Sequence, residues 1–144
     1  MKKHGWPELL DEYIQAAQAR VFAYGTFDCC LWCADWVSAA TGVDHAATLR
    51  GYDSMLEAYK IIATYGSIEK MVTQLLGRGP LHAAMAQRGD IVLMRAMGGA
   101  GGRIEMDGPP ESLGICAGLH SAFPHRRGLI MIRTLEASAA WRVE

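Results

Sequence analysis

The chain has 144 residues, 51% hydrophobic and 20% charged, with a formal net charge of −1. That length suits one domain with one modest core, 1–144, and the composition is globular rather than disordered. Lys and Arg are scattered, which argues against a nucleic-acid footprint, and the longest apolar runs, "DIVLM" and "GLIMI", are far too short to span a bilayer.

The N-terminus "MKKHGWPELLDEY" has basic residues but no apolar segment before its acids, so no signal peptide is expected. Trp6, Leu9, Leu10, Tyr13, Ile14, Ala17 and Val21 recur at helical spacing, with Pro7 suited to a first turn. A loop around Gly25 follows. Asp28 can cap a second helix that stops near Gly42, running to about Thr41. Residues from Ser54 to about Tyr65 predict a third helix closed by Gly66. Ser67 predicts the cap of a fourth, which carries Ile68, Met71, Val72, Leu75 and Leu76 and is broken at Gly77, Gly79 and Pro80.

The second half changes character. "DIVLMR" (90–95), "SLGICAG" (112–118) and "GLIMIRTL" (128–135) are short, apolar and rich in strand formers, and "AWRV" near the end suggests a fourth strand. The glycine-rich connection "AMGGAGGRIEMDGPPE" reads as a hairpin loop. Its residues 97–110 are expected to order on contact with another chain, because glycines make self-ordering costly. "LHSAFPHRRG" reads as a turn carrying two exposed histidines. Helices first and antiparallel strands after predict an α+β fold, with the N-terminal helices on a sheet of about four to six strands.

Three of the four cysteines lie within "DCCLWC". Cys29 falls in the first turn of the second helix, where free N–H groups and the helix dipole favour a thiolate. Cys30 lies about 100° further round, and Cys33 is placed to touch either. Reduced core thiols are the bland reading, since free cysteine is among the most buried residue types. A metal or iron–sulfur site would need Cys29, Cys30, Cys33 and Cys116 together, although neighbouring helical thiols do not easily share one ion. Clustered cysteines do not resemble a secreted disulfide framework. Trp6, Trp32 and Trp36 read as core aromatics before a binding platform. Asp35 reads as solvated before base-orienting, and Asp90 as turn chemistry before function. "GGAGG" lacks the Lys-Ser/Thr of a phosphate loop.

"YGTFDCC", then "RGDIVLM", then "SLGICAG" resembles the NlpC/P60 superfamily of papain-like cysteine peptidases, over roughly residues 22–133. A closer set, "DCCLWCADWV", "TGVD", "LRGY", "QRGD", "LGICAG" and the terminal "AWRV", resembles small NlpC/P60-like proteins of tailed-phage and prophage tail modules. The resemblance implies that Cys29 is the nucleophile position and that Ser112, opening a central strand and facing Cys29, stands where that family has its catalytic His. Serine has no basic nitrogen and cannot take a thiol proton near neutral pH. The third polar position of the family falls near Pro124 and His125, so His125 or His120 would have to act as substitute base. His45 and His82 match nothing in the pattern.

Three functions compete. The first is a phage tail-tip or baseplate structural or assembly protein on a degenerate peptidase scaffold, favoured by the missing base. It would be made in the bacterial cytoplasm, reside in the virion and contact other tail proteins. The second is an active cysteine peptidase cleaving peptidoglycan peptides during infection. The third is a metal-binding or iron–sulfur structural protein. The first two imply no cofactor and no metal.

Overall fold

The computed structural model describes residues 1–95 and 111–144. Four helices precede the strands: α1 (Trp6–Ala17), α2 (Cys29–Thr41), α3 (Met55–Tyr65) and α4 (Ile68–Leu76). Caps written in the sequence set three of the four starts. Leu31 N donates to Asp28 Oδ1, Glu57 N to Ser54 Oγ and Lys70 N to Ser67 Oγ, each bond satisfying one of the donors a helix start leaves open. Gly42, at φ 85°, closes α2 in the left-handed conformation a side chain would resist.

The first helix is shorter than its periodicity suggests. It ends at Ala17, and Val21, expected on its apolar face, is instead 62% exposed. Residues 20–22 are drawn off to pair with 126–128: Phe22 N donates to Arg126 O and Gly128 N to Arg20 O. Tertiary pairing here outcompetes another helical turn.

Five antiparallel strands follow: β1 (Ile91–Arg95), β2 (Glu111–Cys116), β3 (His120–Pro124), β4 (Leu129–Arg133) and β5 (Ala139–Trp141). They lie in the order β4-β3-β2-β1-β5. The described fold is therefore mixed α+β, helices then sheet. β3 corrects the turn expected over "LHSAFPHRRG". Ser121, Ala122 and Phe123 are fully buried in a strand between β2 and β4. The segment looked like a turn because Ser, Pro, His and Gly crowd it; Ser121 is tolerated inside because its hydroxyl pairs with Thr134 Oγ1 at 2.8 Å. The expected loop 97–110 lies outside the described residues.

Both faces of the central strands are buried, which explains the unbroken run "IVLM". Ile91, Leu93, Leu113 and Ile115 meet Trp32 and Trp36 of α2 on one face. Val92, Met94, Cys116 and Phe123 form a second apolar cluster on the other. Trp32 and Trp36 are core residues, at 1% and 0% exposure, and Trp36 Nε1 donates to Gly89 O. Burying each large aliphatic side chain stabilises the fold by about 1.5–3 kcal/mol. Asp35 is not simply solvated, since it pairs with Arg50 at 2.6 Å. Asp90 proves to be more than turn chemistry: its side chain is fully buried, accepts from Gln87 N and Val143 N, and pairs with Arg142 at 3.1 Å.

Candidate functional site

The N-terminus of α2 abuts the start of β2. Asp28 has extended backbone and is 3% exposed, and it organises the turn before the helix. Besides capping Leu31 N, it accepts from Gly25 N at 2.8 Å and from the Tyr52 hydroxyl at 2.6 Å, both through Oδ2. Burial, followed by that bond to a carboxylate, pushes the Tyr52 hydroxyl far up, so it stays a donor. Tyr52 ties the 44–53 segment to the helix start. The sequence carried it only as one letter of "LRGY", since a tyrosine 24 positions from its partner leaves no local signal.

Cys29 follows at the first helical position and is 6% exposed. Its thiol is held below its ordinary value. The largest cause is a hydrogen bond from the Cys30 thiol, whose sulfur lies 4.0 Å away; burial opposes this, and the Leu113 backbone N–H and Ser112 hydroxyl add to the lowering. Cys30 moves the other way, well above its ordinary value, first through the same hydrogen bond and then through burial, so it keeps its proton. Burial likewise raises Cys33.

Ser112 is the second residue of β2, paired with Met94, and is 4% exposed. Its hydroxyl donates to Leu113 O at 3.4 Å and contributes to lowering the Cys29 thiol, the role opposite to that of a base. Cys29, Ser112 and His125 line one cavity of about 30 Å³, together with Tyr24, Asp28 and Tyr52. His125 follows β3, its backbone N–H bonded to Gly128 O. His120 is not brought there. It begins β3 opposite Arg133 and is exposed, and the five residues to His125 extend about 16 Å along the strand. The four thiols are not gathered either, because Cys116 lies on the opposite face of the sheet. Among the described residues, no group of three or more His, Cys, Asp or Glu is placed to hold a metal ion.

The chain matches the family described as Domain of unknown function (DUF6950) over residues 1–143. It belongs to the DUF6950 family. No curated protein and no solved structure matches it. Among the described residues of this DUF6950 chain, no helix is long and apolar enough to cross a membrane.

The site's titration has a definite sign. A thiolate absorbance titration should show one thiol ionising below the ordinary value of about 8.5, and Cys29→Ser should remove that step. The lowered Cys29 contributes stability above about pH 8.5 that is lost as pH falls through its folded value. The raised Cys30 and Cys33 contribute stability below about pH 8.5 that is lost as pH rises towards theirs. With two thiols raised well above the ordinary value against one lowered, unfolding stability should fall on the alkaline side. A midpoint that rises between pH 8.5 and 10 would contradict the burial of Cys30 and Cys33.

Proposed function

We propose that this chain is a structural or assembly component of a phage tail tip or baseplate, on an NlpC/P60-like scaffold that has lost its general base. The observation that carries this reading is Ser112. It shares the Cys29 cavity and offers a hydroxyl that favours the thiolate, where thiol hydrolysis needs a group that accepts the thiol's proton. The tail setting, the virion location and the neighbouring tail proteins as partners rest on the six ordered motifs.

A second reading has one observation in its favour. His125 shares the cavity with Cys29, so a thiol hydrolase with a relocated base acting on peptidoglycan peptides is the competitor.

Purified protein should show no hydrolysis of cell-wall peptides above background, and Cys29→Ala should leave particle assembly intact. General-base assistance is worth about 10²–10⁴ in rate, and a lowered thiol value offsets only part of that. Turnover abolished by both Cys29→Ala and His125→Ala would overturn the assembly reading in favour of the hydrolase. Failure of Cys29→Ala particles to assemble, with the variant folded, would show that the thiol itself is needed.

A further inference from the structure

Two sulfurs at the start of α2 stand 4.0 Å apart on neighbouring residues, beside a cavity that both line. Nothing in the assembly reading uses that pair. Its surroundings are unequal. The Cys30 thiol, Leu113 backbone and Ser112 hydroxyl all favour negative sulfur at Cys29, whereas at Cys30 the shared hydrogen bond and burial favour the protonated thiol. Cys33, one turn further on, lines an apolar cavity under α3 and α4 that Cys30 also borders, but it does not reach the cavity that holds Cys29.

We propose that Cys29 and Cys30 form a peroxide-reactive dithiol, with Cys29 as the attacking sulfur and Cys30 as the resolving one. The Cys29 thiolate attacks one oxygen of hydrogen peroxide. The O–O bond breaks, the leaving hydroxide takes a proton to become water, and Cys29 becomes a sulfenic acid. The Cys30 sulfur then attacks the Cys29 sulfur. An S–S bond forms, the S–O bond breaks, and hydroxide leaves with the Cys30 proton as a second water. Sulfur is oxidised by two electrons and the peroxide is reduced by two. A small-molecule thiol reverses the change by exchange, being itself oxidised to its disulfide.

Three features favour this chemistry. A cavity of about 30 Å³ beside both sulfurs has room for a molecule of peroxide size. Both residues lie in the first turn of α2, where N–H groups are not yet part of the helical ladder, so a local twist forfeits few backbone bonds. Neighbouring Cα atoms are about 3.8 Å apart, shorter than the usual disulfide range of about 4.4–6.8 Å, so the bridge requires a local distortion of the helix start and is strained and easily reduced. A strained bridge suits a reversible modification rather than a structural cross-link.

The test uses the full chain and hydrogen peroxide, followed by peptide mass mapping. Wild-type protein should lose two hydrogens and both free thiols at Cys29 and Cys30, within one peptide, and regain them with dithiothreitol. Cys30→Ser should stop at a Cys29 sulfenic acid captured by dimedone, and Cys29→Ser should leave Cys30 unoxidised. A wild-type bridge to Cys33, Cys116 or a second chain would overturn the proposal. So would overoxidation of wild-type Cys29 without any bridge, and so would Cys30→Ser behaving like wild type. The wild-type mapping decides the matter even if a variant fails to fold. Because it reads oxidation rather than hydrolysis, its result is separate from that of the assembly reading.

Discussion

Asp90→Ala should destabilise the protein by about 3 kcal/mol, which is roughly 10 °C in Tm for a domain of this size. The side chain is fully buried, and both of its oxygens are occupied: Oδ2 accepts from Gln87 N at 2.8 Å and faces Arg142 Nε at 3.1 Å, while Oδ1 accepts from Val143 N at 3.1 Å. Removing it strands two backbone donors and takes the counter-charge from Arg142, whose Nη2 keeps only its bond to Met85 O. The lower end of the range for a broken buried pair applies because the Arg142 side chain is 22% exposed and can recover some hydration. Asp90→Asn should not rescue, since an amide nitrogen would meet a donor wherever it is placed. Urea unfolding of both variants measures this, and a loss under about 1 kcal/mol for Asp90→Ala would show that the carboxylate does not hold the C-terminal residues to β1.

Gly25→Ala should cost about as much, for a different reason. Gly25 has φ +92°, where an L side chain costs about 1–2 kcal/mol. A Cβ there would also stand 2.0 Å from Tyr52 O and 3.1 Å from its carbonyl carbon, and backbone atoms cannot rotate away as a side chain can. The 44–53 segment would have to move, adding about 1–3 kcal/mol of overpacking and breaking the Tyr52–Asp28 hydrogen bond. Tyr52→Phe isolates that bond alone and should cost less than Gly25→Ala. If Gly25→Ala unfolded at the wild-type urea concentration, the contact between this turn and the Tyr52 backbone would be wrong.

These two positions also divide what can be read locally from what cannot. Asp28, Ser54 and Ser67 were legible as caps because a helix start is a local event, satisfied within three residues. For the same reason Cys29 could be placed at the first turn of α2, and the apolar runs of β1, β2 and β4 could be read as strands. Asp90 was legible only as turn chemistry after a glycine, which its bond from Gln87 N fits, since its other two partners are 52 and 53 positions away and no spacing rule reaches that far. β3 was hidden because its residues are turn formers by type, and only pairing on both sides made a strand of them.

The sequence by itself determined the α+β order of elements, the helix caps and the place of Cys29 at the first turn of α2, because each depends on backbone groups a few residues apart. Only the tertiary structure decided how Cys29 is treated. Cys30 approaches along the helix, but Leu113 and Ser112 arrive from a strand more than 80 positions later, and Tyr52 anchors Asp28 from a separate segment. It likewise separated two histidines that looked equivalent, setting His125 on the Cys29 cavity and His120 at the far end of the same strand. Side-chain chemistry is written residue by residue, but the field and the donors around a sulfur are set by whatever the fold brings within a few ångströms of it.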